Sequence, residues 1–84
     1  MIAFVEGEIL LKGEKFVMLD AGGIGYRIFA SPETLRKIPE KGQKIKIFTH
    51  LYQREDTIEL YGFLHYPELD FFEILIQISG IGPK

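Results

Sequence analysis

Polar and apolar side chains alternate along residues 44–52, and this alternation constrains the fold more than any other feature of the sequence. One face of the segment carries Ile45, Ile47, Thr49 and Leu51. Such a period of two is typical of a β-strand with one buried side. Residues 57–63 alternate in the same way after a short polar break. We therefore predict a β-hairpin whose tip carries Arg54, Glu55 and Asp56.

Three further strands are predicted before this hairpin, at residues 2–12, 16–20 and 26–30. Gly7 lies inside the first of them, and a glycine within a strand indicates a bulge or a sharp bend. A long, bent first strand suits a small closed barrel, in which one strand pairs on both sides of the closure. The second strand is almost continuously apolar, which predicts burial on both of its faces.

A short helix is predicted between the third and fourth strands. Ser31 can cap it, Pro32 suits its first position, and it extends to about Lys37. Five strands with a small helix at this place have the order of an OB-fold, so we predict a mainly β chain with a five-stranded OB-fold barrel over residues 1–63. The predicted core side chains are Ile2, Val17, Leu19, Ile28, Ile45, Ile47, Ile58 and Leu60.

The hydrophobic period changes after the barrel. Leu69, Phe72, Leu75 and Ile76 recur at helical spacing, so we predict a helix that follows a domain boundary near residues 63–66. Pro67 and Glu68 suit its first turn, and the glycines from Gly80 onwards end it.

The segment Gly80-Ile81-Gly82-Pro83-Lys84 is the local motif that points most directly to a ligand. A glycine turn between two helices leaves backbone N–H groups free to contact a phosphate, and Lys84 adds a positive charge. The same glycines would also serve as an ordinary helix C-cap. By contrast, residues 22–25 lack the later glycine and the Gly-Lys ending of nucleotide loops, so we interpret them as a β-turn.

Composition excludes several classes of function. The sequence has no cysteine and only two histidines, so we expect neither a disulfide nor a metal site, and no cofactor. We find no nucleophile–base arrangement typical of an enzyme. No signal peptide or membrane-length apolar run is present in these residues, and we expect a cytoplasmic protein. The net charge of −2 implies that any contact with DNA is local, or that the decisive basic surface lies outside these residues.

Several stretches, in this order and at this spacing, resemble the RuvA family of Holliday junction branch-migration proteins. They are Met1-Ile2 with Gly7, residues 22–26, Arg54-Glu55-Asp56 followed by residues 60–63, and residues 72–84. The last of these is similar to the beginning of the family's first helix-hairpin-helix. The resemblance covers essentially all 84 residues.

The resemblance implies a non-catalytic, DNA-binding homotetramer that binds four-way DNA junctions and works with the hexameric ATPase motor RuvB in recombination, DNA repair and the SOS response. The RuvC resolvase is a further candidate partner. Residues 1–63 would form the oligomerising barrel and residues 64–84 the opening of the helix-hairpin-helix. Gly80, Gly82 and Lys84 would contact DNA phosphates. Glu55 and Asp56 match the family's acidic pin, which separates strands at the junction centre.

Two departures from the family pattern and two alternatives accompany this interpretation. Glu6 stands where the family usually has a basic residue, and the second hairpin motif and the motor-contacting domain are expected beyond Lys84. One alternative is a purely structural oligomerisation module whose parent protein binds DNA elsewhere. The other is a general single-strand-binding OB-fold. That function needs a basic groove with exposed aromatic residues, and the net charge of −2 argues against it.

Overall fold

A computed structural model of the protein describes residues 1–79. Its elements are β1 (Phe4–Lys12), β2 (Phe16–Ala21), β3 (Ile24–Phe29), α1 (Pro32–Lys37), β4 (Lys44–Arg54), β5 (Thr57–Phe63) and α2 (Tyr66–Ser79). The strands close into a barrel in the order β1-β2-β3-β5-β4. All neighbouring strands are antiparallel except β3 and β5, which are parallel. This is the OB-fold arrangement, so the predicted fold class is confirmed.

Strand β1 closes the barrel because it pairs with two strands. Its first half pairs with β4 and its second half with β2. Gly7 lies where β1 passes closest to the end of β2: a Cβ atom at this position would lie 2.4 Å from the carbonyl oxygen of Asp20. The glycine therefore permits a close approach of two backbones. The irregularity in the β1–β2 pairing lies between Ile9 and Leu11, so the bulge that we predicted at Gly7 occurs further along the strand.

The core fills the barrel and extends under α1. Its buried apolar residues are Val5, Ile9, Val17, Leu19, Ile28, Leu35, Ile38, Ile47 and Leu60. Ile2 and Ile45 are only partly buried and pack against this cluster. Helix α1 closes one end of it, and the hydroxyl oxygen of Ser31 caps this helix by accepting a hydrogen bond of 3.1 Å from the backbone N–H of Thr34. The cap that we predicted is therefore present.

Two predictions of burial are wrong. Ile58 is 65% exposed, although it alternates correctly with buried Leu60. The parallel pairing of β3 and β5 begins only at Ile28 and Leu60, so Ile58 lies beyond the closed part of the barrel. In β2, Val17 is buried but the alternate residue Met18 is only partly so. The outer face of β2 is partly open to solvent, which contradicts the predicted burial on both faces.

Helix α2 packs on the outside of the barrel against β4 and β5. Leu69 is 4% exposed and anchors the first half of the helix. Five large hydrophobic side chains of α2 are exposed: Tyr66, Phe71, Ile74, Leu75 and Ile78. No helix within residues 1–79 is long and apolar enough to cross a membrane.

Candidate nucleic-acid interface

Glu55 and Asp56 form the whole connection between β4 and β5. The two strands remain paired up to Arg54 and Thr57, so only these two residues make the turn. Both are exposed, and a carboxylate oxygen of Asp56 accepts a hydrogen bond of 3.2 Å from the hydroxyl of Thr57. The structure therefore brings the two predicted carboxylates together at the tip of a regular hairpin, which we call the acidic turn.

The negative charge of the acidic turn is not neutralised by an ion pair within residues 1–79. Arg54 is the adjacent cation, and its guanidinium lies 5.7 Å from the centre of the Tyr52 ring. Two ionised carboxylates on an exposed turn repel a phosphate backbone. The acidic turn is therefore suited to excluding nucleic acid from its immediate surroundings and unsuited to binding phosphate.

An aromatic cluster supports the base of this hairpin. The Tyr61 ring lies 5.8 Å from Phe29, 6.4 Å from Tyr52 and 6.0 Å from Phe72, measured between ring centres. Its hydroxyl donates a hydrogen bond of 2.6 Å to Glu59. Burial raises the pKa of the Tyr61 phenol well above its ordinary value, and the bond to Glu59 raises it further. Tyr61 is thus a partly buried residue that packs among other rings.

The turn between β2 and β3 is not a phosphate-binding loop. Gly22 and Gly23 have positive φ angles, and the N–H of Gly23 donates a hydrogen bond of 2.9 Å to the side chain of Asp20. The concave surface beside it also includes the acidic side chains Glu6 and Glu8. Clustered carboxylates disfavour an anion there, so our interpretation of this segment as a plain β-turn stands.

His50 links the barrel to α2, a contact that the sequence analysis did not find. Its Nδ1 atom lies 2.9 Å from a carboxylate oxygen of Glu73, and its ring packs against Phe72 with 5.5 Å between ring centres. The partners are 23 positions apart in the sequence, so no local pattern identifies them.

The remaining predicted site residues, Gly80, Gly82 and Lys84, lie outside the described residues. Helix α2 leads directly to them. Among residues 1–79, no group of three or more His, Asp or Glu side chains is arranged to hold a metal ion.

A closed five-stranded barrel with a helix between β3 and β4 defines an OB-fold domain, here extended by a helix that packs on its side. Residues 1–62 match the family model described as the RuvA N terminal domain. The chain belongs to this family.

Relatives named "Holliday junction branch migration complex subunit RuvA" are similar to the whole chain. Those of Acetivibrio thermocellus, Ruminiclostridium cellulolyticum and Symbiobacterium thermophilum are 49%, 44% and 40% identical to it over 84 residues. The alignments cover 100% of this chain but only 41–42% of each relative. The chain thus spans about two fifths of the length of these proteins.

Proposed function

We propose that this chain forms the barrel and first DNA-binding helix of a non-catalytic subunit that binds four-way DNA junctions during branch migration in the cytoplasm. The observation that carries this proposal is the acidic turn, two exposed carboxylates on a two-residue connection in a barrel of the RuvA N-terminal family. The relatives' name assigns them to a Holliday junction branch migration complex. The RuvB motor and the RuvC resolvase are the proposed protein partners.

The acidic turn would act by repulsion. If four copies surround a junction, as the family resemblance implies, their turns place eight carboxylates around the symmetry axis. A single pair of unit charges 10 Å apart in water interacts with about 0.4 kcal/mol, and several such pairs add. Duplex DNA would be excluded from the centre, while separated strands could pass around it. Repulsion of this kind selects one geometry over its competitors at some cost in affinity.

Attraction to DNA would come from the segment after α2. Residues 64–84 are proposed to begin a helix-hairpin-helix, in which Gly80 and Gly82 present backbone N–H groups to a phosphate and Lys84 adds its charge. Replacing Lys84 with Ala should weaken binding about equally for all sequences and lower the salt slope by about one per lost contact.

The experiment that tests the acidic turn is the double variant Glu55→Gln, Asp56→Asn, titrated with a four-way junction and with linear duplex at several salt concentrations. We expect tighter binding at low salt and a reduced preference for the junction, because the repulsion is lost where screening is weak. The matched control is Glu14→Gln, Glu33→Gln, which removes two exposed carboxylates elsewhere. Equal effects of both double variants, or no change in either titration, would contradict the proposed role.

A second candidate function is a structural oligomerisation module, and the exposed apolar side chains of α2 favour it. Five exposed large hydrophobic residues on one 14-residue helix suit a contact between proteins. This function is compatible with the first, since the family resemblance implies a homotetramer. Sedimentation of the chain alone and a junction titration distinguish the two: a tetramer without junction preference would support assembly as its sole role.

A further inference from the structure

The contact of 2.9 Å between His50 Nδ1 and a carboxylate oxygen of Glu73 is the one hydrogen bond between side chains of the barrel and α2 within residues 1–79. The His50 side chain is 20% exposed and the Glu73 side chain 41% exposed, so water screens the pair only in part. His50 lies in the middle of β4, where it pairs with Tyr61 of β5, whereas Glu73 lies near the middle of α2. The contact therefore joins a rigid part of the barrel to a helix on its surface.

The other contacts of α2 with the barrel constrain its direction less. Phe72 packs against Phe63 and Tyr61 with 4.9 Å and 6.0 Å between ring centres, in tilted geometries. Apolar contacts of this type are non-directional and tolerate small rotations of a helix. A hydrogen bond with a charged acceptor is shorter and depends strongly on geometry. His50 and Glu73 therefore form the directional contact on this side of the barrel.

The direction of α2 matters because the helix acts as a lever. Leu69 is buried against the barrel and is the natural pivot. About ten residues separate it from the end of the helix, which corresponds to roughly 15 Å at 1.5 Å per residue. A tilt of about 20° about this pivot would therefore move the end of α2 by roughly 5 Å. Such a displacement exceeds the precision that hydrogen bonds to phosphates require.

We propose that His50 and Glu73 are a positioning pair: they set the direction in which α2 leaves the barrel and so place the segment that follows it. The relevance of this placement to DNA rests on the proposed function, but the placement itself does not. Neither side chain is proposed to touch DNA.

The first test measures the direction of α2. The chain has no cysteine, so Lys41→Cys and Gln77→Cys, both at exposed positions, introduce two spin labels at known places. The labelled 84-residue chain, diluted with unlabelled chain, should give a narrow distribution of label distances. His50→Ala and Glu73→Ala should broaden or shift it, whereas the matched control His65→Gln, an exposed histidine, should not. An unchanged distribution in both alanine variants would overturn the proposal.

The second test separates positioning from general packing by two variants of Glu73. Glu73→Gln keeps a side-chain oxygen that can accept a hydrogen bond from His50, whereas Glu73→Leu fills similar space without an acceptor. Amide hydrogen exchange should show Glu73→Leu lowering the protection of α2 about two- to fivefold, the range expected for a partly exposed pair, and Glu73→Gln lowering it less. Equal protection in the two variants would show that the pair only fills space, and would overturn the proposal.

Junction binding by the wild-type protein shows which proposal has failed. If the wild-type protein does not prefer junctions to duplex, the proposed function fails, while the label distances still test the pair. If it prefers junctions but both alanine variants match its label distances, the positioning role fails and the function stands.

Discussion

Replacing Gly7 with Ala is expected to destabilise the barrel strongly, because the new methyl group meets backbone. The added Cβ would lie 2.4 Å from the carbonyl oxygen of Asp20 and 2.9 Å from its carbonyl carbon. Real Cβ contacts essentially never fall below 3.0 Å, and ordinary contact begins near 3.4 Å. The backbones must therefore separate by about 0.6–1.0 Å, the difference between these limits and 2.4 Å.

The displacement falls where β1 changes partners. Glu8, the next residue, pairs with Lys44 on β4 and with Asp20 on β2. The shift therefore disturbs the pairing of β1 with both strands. Overpacking of a well-packed site typically costs 1–3 kcal/mol, and a clash with backbone belongs at the upper end. We expect a loss of about 2 kcal/mol or more in the free energy of unfolding, which corresponds to a fall in Tm of at least roughly 8–16 °C for a domain of this size.

Gly25→Ala is the matched control. Gly25 is also a strand glycine, its φ angle is not among the positive ones, and a Cβ there would meet nothing within 4 Å. Glycine in a strand costs conformational entropy, so this replacement should be neutral or slightly stabilising. Urea unfolding of both variants at one protein concentration checks the expectation. If the two replacements alter stability to within about 0.5 kcal/mol of each other, the steric reasoning is refuted.

Three further predictions concern single side chains. Ser31→Ala removes the cap of α1 and should cost about 1 kcal/mol in urea unfolding, whereas Ser31→Asp should retain most of the stability. The Thr49 hydroxyl donates a hydrogen bond of 2.7 Å to the Ile2 carbonyl. Thr49→Val removes this donor and should lower the free energy of unfolding by about 1–3 kcal/mol in the same assay. Burial raises the pKa of Tyr61, so the protonated phenol favours the folded state. The contribution of Tyr61 to the free energy of unfolding should be fully present below about pH 10, where free tyrosine ionises, and should fall as the pH rises further. Tyr61→Phe should reduce that alkaline loss, and an unchanged loss would show that another group causes it.

The elements that the sequence predicts well are those defined by local chemistry. The limits of β5 follow from the alternation of apolar and polar residues. The limits of α1 follow from Ser31 as a cap and from Pro32 at the first helical position. These signals act over a few residues, so they do not depend on how the barrel closes. The acidic turn belongs to the same class, because a two-residue turn necessarily places adjacent residues together.

Features that depend on how the barrel closes and on what packs against it could not be predicted from the sequence. Ile58 has the alternation of a core residue but lies beyond the paired part of β3 and β5. Leu35 and Ile38 are buried because α1 covers one end of the barrel, which no local period indicates. The contact of His50 with Glu73 depends on where α2 packs, and its two residues are 23 positions apart. Long-range packing decides these cases and is not visible in the sequence.

The β4–β5 hairpin connects the two parts of the proposed DNA-binding surface. It carries the acidic turn at its tip, and its middle holds α2 through His50. Glu55 lies five positions after His50, which corresponds to roughly 17 Å along an extended strand. Because β4 is paired with β5 from His50 to Arg54, this spacing cannot change without breaking ladder hydrogen bonds. The acidic turn and the helix that leads to the proposed phosphate-binding segment are thus held at a distance set by strand geometry. The strand pairing, rather than a flexible connection, would determine the distance between the acidic turn and the place where DNA is bound.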